Sequence, residues 1–167
     1  VLEERRTNAV LVGPGLGLDD RARERLASVL AADLPTVADA DALTLLAPKL
    51  LEIRSAPLIL TPHAGEMERL AKSFAIEAEG KVAQAQALAK AAQAVVVAKG
   101  PDTVIAAPDG RTVLAPSPTS WLAVAGTGDV LAGAIASRLA ATHDPYRAAC
   151  EAVWLHGEAA RLAGPAF

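Results

Sequence analysis

The chain has 167 residues, 52% of them hydrophobic and 21% charged, which suits one folded domain with a sizeable core and excludes a disordered chain. A formal net charge of -3, with Glu3-Glu4-Arg5-Arg6 as the densest basic stretch, argues against nucleic acid as a partner, since phosphate neutralisation needs clustered cations. No apolar run reaches the ~20 residues that a bilayer span needs, no signal-peptide pattern is present, and the single Cys150 excludes an internal disulfide and a multi-cysteine metal site.

These features suit a reducing, cytoplasmic setting without a membrane partner. Aromatic residues are only 3%, so Ala, Leu, Val and Ile must build the core. The chain starts at Val1-Leu2-Glu3-Glu4 without a methionine, which is read as a sign that upstream residues were removed or belong to another chain, although processing gives the same start.

Ala9-Val10-Leu11-Val12 is a short apolar run closed by Gly13-Pro14-Gly15-Leu16-Gly17, the pattern of a buried parallel strand and its turn. Asp19 or Asp20 then caps a helix over residues 21–32, with Ala22, Leu26, Val29 and Leu30 at helical spacing. Pro35 breaks it. Thr36-Val37-Ala38 is a second strand, and a short helix after Asp39-Ala40-Asp41 stops before Pro48. Pro57-Leu58-Ile59-Leu60-Thr61 is a third strand, followed by Pro62-His63-Ala64-Gly65-Glu66 and a helix to about Phe74.

The Ala-rich stretch from Glu77 to Gln93 has high helix propensity, and Ala94-Val95-Val96-Val97-Ala98 is the plainest strand. Thr103-Val104-Ile105-Ala106 and Thr112-Val113-Leu114-Ala115 flank Pro108-Asp109-Gly110, as an antiparallel hairpin would. A loop from Pro116 to Ala125 leads into Gly126-Thr127-Gly128-Asp129 and a helix to about Ala141. A last helix runs from Pro145 to about Ala163. Strand and helix in alternation specify an α/β fold with a mainly parallel sheet, helices on both faces, and ligands at the carboxyl rim of the strands.

Four segments carry candidate chemistry, three of them following strand ends on that rim. Gly126 to Asp129 offers backbone amides and a positive helix end to a phosphate, with a carboxylate beside it to take a proton from an attacking hydroxyl; a plain capped helix start reads the same way. Gly13 to Gly17 lets a ligand approach the backbone, although its spacing is not the dinucleotide fingerprint and a tight turn also explains it. His63 suits an acid, base or donor role or an ordinary loop histidine, and no second histidine or cysteine stands at metal-ligand spacing. Lys99-Gly100 suits phosphate neutralisation or a solvated lysine at a turn.

Asp39 and Asp41, two residues apart in an extended segment, point the same way. They suit water-mediated magnesium or the positioning of a hydroxyl, while either also suits a helix cap. In the last helix Cys150 reads as a small core residue, Trp154 as packing and His156 as a hydrogen-bonded buried histidine.

Five segments in order resemble the NAD(P)H-hydrate dehydratase family, a branch of the ribokinase-like superfamily. They are Val12 to Gly17, Ala38 to Leu43, Leu60 to Glu66, Val97 to Ile105, and Ala125 to Gly133. The resemblance implies a ribokinase-like three-layer fold. It also implies a repair reaction in which ADP or ATP, with Mg2+, phosphorylates the hydroxyl of hydrated NADH or NADPH, and phosphate then leaves.

Carried over by similarity, Asp129 is the catalytic carboxylate near the hydrate hydroxyl. Gly126, Thr127 and Gly128 hold the transferring phosphate. Gly15, Gly17 and His63, with Asp129, contact the hydrated substrate. Lys99, Gly100, Pro101, Asp102 and Thr103, with Gly128, contact the adenine nucleotide.

Ala64 stands where the family usually has proline, and Thr119-Ser120-Trp121 stands where an Asn-Pro-Gly stretch is common. The family domain normally carries roughly one hundred residues before the first motif, about a domain's worth. Residues 1–167 are therefore read as a single ribokinase-like domain truncated on its amino-terminal side, which would expose a sheet edge and favour a homo-oligomer. Two other readings are a ribokinase-like kinase of a small vitamin precursor and a non-catalytic nucleotide-binding domain.

Overall fold

The computed structural model describes residues 7–52, 54–116 and 122–164. The apolar runs form strands β1 (Val10–Val12), β2 (Thr36–Ala38), β3 (Leu58–Leu60) and β4 (Val95–Ala98). These four lie parallel in chain order. Beyond β4 the hairpin of β5 (Asp102–Ala106) and β6 (Thr112–Pro116) continues the sheet antiparallel. Its turn is held by the Asp109 carboxylate, which accepts the Arg111 amide at 3.0 Å. Among the described residues β1 has β2 on one side and no strand on the other.

Helices cover both faces. On one side lie α1 (Asp20–Ala31), α2 (Asp41–Leu45), α3 (Ala64–Ser73) and α4 (Lys81–Ala92), with a 3-10 turn over Pro48–Leu51. On the other lie α5 (Thr127–Thr142) and α6 (Pro145–Ala163). Successive strand residues alternate between the two cores. Val96 and Ala98 join Leu26, Leu70 and Leu88, whereas Val95 and Val97 join Leu131, Ile135 and Leu139. This is why the strands read as continuous apolar runs. Burial of each such aliphatic side chain stabilises the fold by about 1.5–3 kcal/mol. Ala132, Ala148, Ala149 and Ala152 are fully buried between α5, α6 and the sheet, so small side chains replace the missing aromatics.

The starts of α1 and α6 follow the local chemistry. Asp19 accepts the Ala22 amide at 2.8 Å, and Asp144 accepts that of Arg147 at 3.0 Å ahead of Pro145. One helix is shorter than propensity suggests. The Ala-rich stretch begins its helix at Lys81, not near Glu77, because the chain first turns through Ala75 at φ +52 and Gly80 at φ +83. No helix among the described residues is long and apolar enough to cross a membrane.

Candidate active site

The parallel ladder runs on past the strand ends and sets the rim loops in register. Asp39 donates its amide to the Val12 carbonyl at 3.1 Å, Thr61 to Ala38 at 3.2 Å, and Lys99 to Pro62 at 2.8 Å. Gly13 lies hard against this rim: a Cβ there would stand 1.7 Å from the Asp39 carbonyl oxygen, so no side chain fits.

The Asp39-Ala40-Asp41 segment is not extended. Ala40 turns it at φ 48 and ψ -121, and Asp41 opens α2. The turn sends the two carboxylates to different partners. Asp39, only 1% exposed, places Oδ1 2.8 Å from the Lys99 ammonium. Asp41 accepts the Gly17 amide at 2.9 Å and so anchors the glycine loop after β1.

At the head of α5, Gly126 takes the left-handed conformation, φ +89, that turns the chain into the helix. Thr127 fastens the turn: its amide donates to the Val124 carbonyl at 3.3 Å, and its hydroxyl lies 2.7 Å from the Leu122 carbonyl. The amides of Gly128 and Asp129 have no hydrogen-bond partner among the described residues. They are the free donors of a helix N-terminus, where the dipole also favours an anion. Lys99 Nζ lies 3.4 Å from where a Cβ on Gly128 would stand, so the ammonium sits beside the first turn of α5. The Asp129 side chain is exposed at the same helix head.

A cleft of about 1040 Å3 opens beside that point, between the hairpin, α5 and α6. Lys99, Gly100, Thr127 and Gly128 line its polar end. Ile105, Val113, Leu131, Cys150 and Val153 line its apolar depth, the size and character of a small-molecule pocket. At the hairpin turn the Arg111 guanidinium lies 4.5 Å from the centroid of the Tyr146 ring, tying the hairpin to the start of α6. Burial pushes the Cys150 thiol up and the His156 imidazole down from their ordinary values.

The sequence-derived residues divide between the two sides of the rim. Lys99, Gly100, Pro101, Thr103, Thr127 and Gly128 line the cleft. Asp102 turns its carbonyl to the Lys81 ammonium, which holds the 99–102 loop from outside. Gly15, Gly17 and His63 follow the ends of β1 and β3, and with Asp129 they stand outside the cleft lining.

His63 caps α3. Its Nδ1 accepts the amides of Gly65 and Glu66 at 3.0 and 3.3 Å, while the buried Glu66 carboxylate accepts the His63 amide at 2.8 Å. Nε2 lies 3.2 Å from Glu66, yet the imidazole keeps 55% of its surface exposed. The stretch Thr119-Ser120-Trp121 lies outside the described residues.

Tyr146, Cys150, Val153, Trp154 and Gly157 of α6 form one wall of the cleft; Cys150 also packs against the core, as its sequence suggests, whereas Trp154, expected to pack, is 65% exposed. The available signal was a helical stripe in which small residues, Cys150 and Gly157, interrupt larger ones.

Among the described residues no three His, Cys, Asp or Glu side chains group as a metal cage.

The profile of the family described as NAD(P)H-hydrate dehydratase matches residues 1–165. A bifunctional NAD(P)H-hydrate repair enzyme of Mycobacterium leprae is 44% identical over 159 residues, which cover 94% of this chain and 33% of that protein. The solved ADP/ATP-dependent NAD(P)H-hydrate dehydratase from Bacillus subtilis, co-crystallised with ATP/Mg2+, superposes with a TM-score of 0.79 at 38% identity, covering 93% of this chain and 55% of that one. A ribokinase-like superfamily protein from Enterococcus faecalis gives a TM-score of 0.76 at 31% identity, over 90% and 53% of the two chains. The fold is ribokinase-like. The chain spans a third of the length of the mycobacterial relative and about half of the solved ones.

Proposed function

The chain belongs to the NAD(P)H-hydrate dehydratase family, and from that premise we propose that it takes part in nucleotide-dependent dehydration of hydrated NADH or NADPH. The observation that carries this reading is the Lys99 ammonium at the polar end of the cleft, beside a first turn of α5 whose Gly128 and Asp129 amides have no hydrogen-bond partner among the described residues and whose Asp129 carboxylate is exposed.

In this reading the nucleotide lies in the cleft with its base and sugar against Ile105, Val113 and Val153, and its phosphates at Lys99 and the head of α5. The hydrated nicotinamide ring comes from the side of Gly15, Gly17 and His63. Asp129 accepts the proton of the hydrate hydroxyl as its oxygen bonds to the terminal phosphorus. The bond from that phosphorus to the bridging oxygen breaks, and the shortened nucleotide leaves. The Gly128 and Asp129 amides stabilise the charge on the transferring group. The ring carbon–oxygen bond then breaks, phosphate departs, a proton leaves the neighbouring carbon, and the ring double bond is restored. Mg2+ on the nucleotide supplies neutralisation of phosphate charge. A cytoplasmic setting and self-association of the chain, in which β1 has no strand on one side among the described residues, belong to the same reading.

The test is incubation of the full chain with hydrated NADH, ADP and Mg2+. Recovery of NADH absorbance matched by release of inorganic phosphate supports the proposal. Accumulation of a phosphorylated product without that recovery points to a kinase, and binding without consumption of nucleotide to a non-catalytic domain.

A further inference from the structure

Asp39 belongs neither to the cleft lining nor to the exposed rim, yet it carries a charge into the interior. Its side chain is 2% exposed, at the carboxyl end of β2. Taking a carboxylate out of water costs several kcal/mol unless a partner offsets it. The only hydrogen-bond partner of that carboxylate among the described residues is Lys99, 60 residues further on, at 2.8 Å. Such a buried pair adds little stability over an apolar pair of the same volume, so its presence calls for another explanation.

The explanation lies in where the ammonium is held. A lysine is a point charge on a flexible four-carbon stem, and left free it would spread over many rotamers. Here the Lys99 side chain is 16% exposed, and its Nζ lies 3.4 Å from where a Cβ on Gly128 would stand. Gly128 leaves the space between the ammonium and the α5 amides empty of side chain. The turn at Ala40, in a conformation that costs strain for a residue with a Cβ, aims Asp39 away from Asp41 and toward Lys99.

The geometry points to Asp39 as a positioning residue that acts on the phosphate end of the nucleotide through Lys99. It holds the ammonium beside the free amides before any anion arrives, so that the phosphates meet a pre-set cation and need not order it. The inference rests on the nucleotide reading of the cleft. It assigns Asp39 no contact with substrate.

The experiment compares the affinity of the full chain for ADP and for adenosine by calorimetry, without metal. The parent protein should bind ADP more tightly than adenosine. Asp39→Asn should cut that preference by about tenfold or more, the worth of a charge-assisted hydrogen bond, with adenosine affinity unchanged. A general disturbance of structure would lower both affinities.

Because Asp39→Asn leaves an ammonium unpaired and Lys99→Met a buried carboxylate, the two substitutions are also combined, and the double variant leaves neither charge stranded. The ADP preference of Lys99→Met and of the double variant should be equal. A further loss in the double variant would show that Asp39 acts on the phosphates by another route and would overturn the inference. So would an Asp39→Asn protein that keeps the full preference. A parent that binds ADP no better than adenosine would instead remove the nucleotide reading itself.

Discussion

Asp41 holds Gly17: a carboxylate at the first residue of α2 accepts, at 2.9 Å, the backbone amide of a loop 24 residues earlier. The contact fixes the glycine loop that carries the proposed hydrate-binding positions, without touching the cleft. Asp41→Ala should raise KM for the hydrate about threefold to tenfold, the range of one hydrogen bond at an exposed site, and leave KM for ADP unchanged. Steady-state kinetics with each substrate varied in turn check this. An equal rise in both KM values would mean that the turn holds the whole rim.

Asp129 tests the chemistry directly. Asp129→Asn keeps the shape of the side chain and removes its capacity to take a proton. Turnover should fall by about two to four orders of magnitude, as for loss of a general base, while calorimetric ADP affinity stays the same. Undiminished turnover would move the base elsewhere.

Gly128 separates stability from binding. It sits in the first turn of α5 without a positive φ, so alanine is acceptable to the backbone and should stabilise the helix by about 0.5–1 kcal/mol. The new Cβ would stand 3.4 Å from Lys99 Nζ, where a phosphate must come. Gly128→Ala should therefore melt at the same temperature as the parent or higher, yet bind ADP about tenfold more weakly.

His63 has a structural duty that must be subtracted before any substrate role is claimed. His63→Ala should destabilise the protein by about 1 kcal/mol through loss of the α3 cap. His63→Asn should largely keep the cap, since asparagine is a favoured residue there. A higher KM for the hydrate in the asparagine variant, at near-parental melting temperature, would give His63 a part in binding. An unchanged KM would leave it a cap alone.

Cys150 reports on the cleft, being the only cysteine of the chain and part of its apolar depth. Burial raises the thiol above its ordinary range, and the thiolate is the form that reacts. Labelling with iodoacetamide should therefore climb with pH and reach its midpoint at a higher pH than for a free thiol. ADP at ten times its dissociation constant should slow labelling about tenfold. Labelling indifferent to ADP would place the nucleotide elsewhere.

Much of this architecture can be read from the chain because each core strand is a short, uninterrupted apolar run. Val95-Val96-Val97 announces itself, as does the Pro108-Asp109-Gly110 turn between two β-prone stretches. The rim segments were readable for the same reason: they follow strand ends, and parallel strands share one rim. What resisted reading depends on distance in sequence or on the direction of a side chain. Asp39 and Asp41 look like a matched pair until the φ of Ala40 is known, and nothing local tells that Lys99 is the partner of one of them. His63 and Glu66 have the three-residue spacing of a capping box, but histidine stands where serine or threonine usually serves. The cleft wall on α6 is not legible locally, because a pocket lined with Leu, Val and Cys uses the same residues as packing does.

The sheet keeps its strands in the order in which the chain makes them, and this has a genetic consequence. The side that would receive the nicotinamide is encoded between residues 13 and 66, apart from Asp129, and the cleft side between 99 and 158. A single crossover in the stretch between them would exchange one reactant's reception while the phosphoryl-handling half is inherited whole. Such an exchange would have to carry a matching partner for Lys99 across the join.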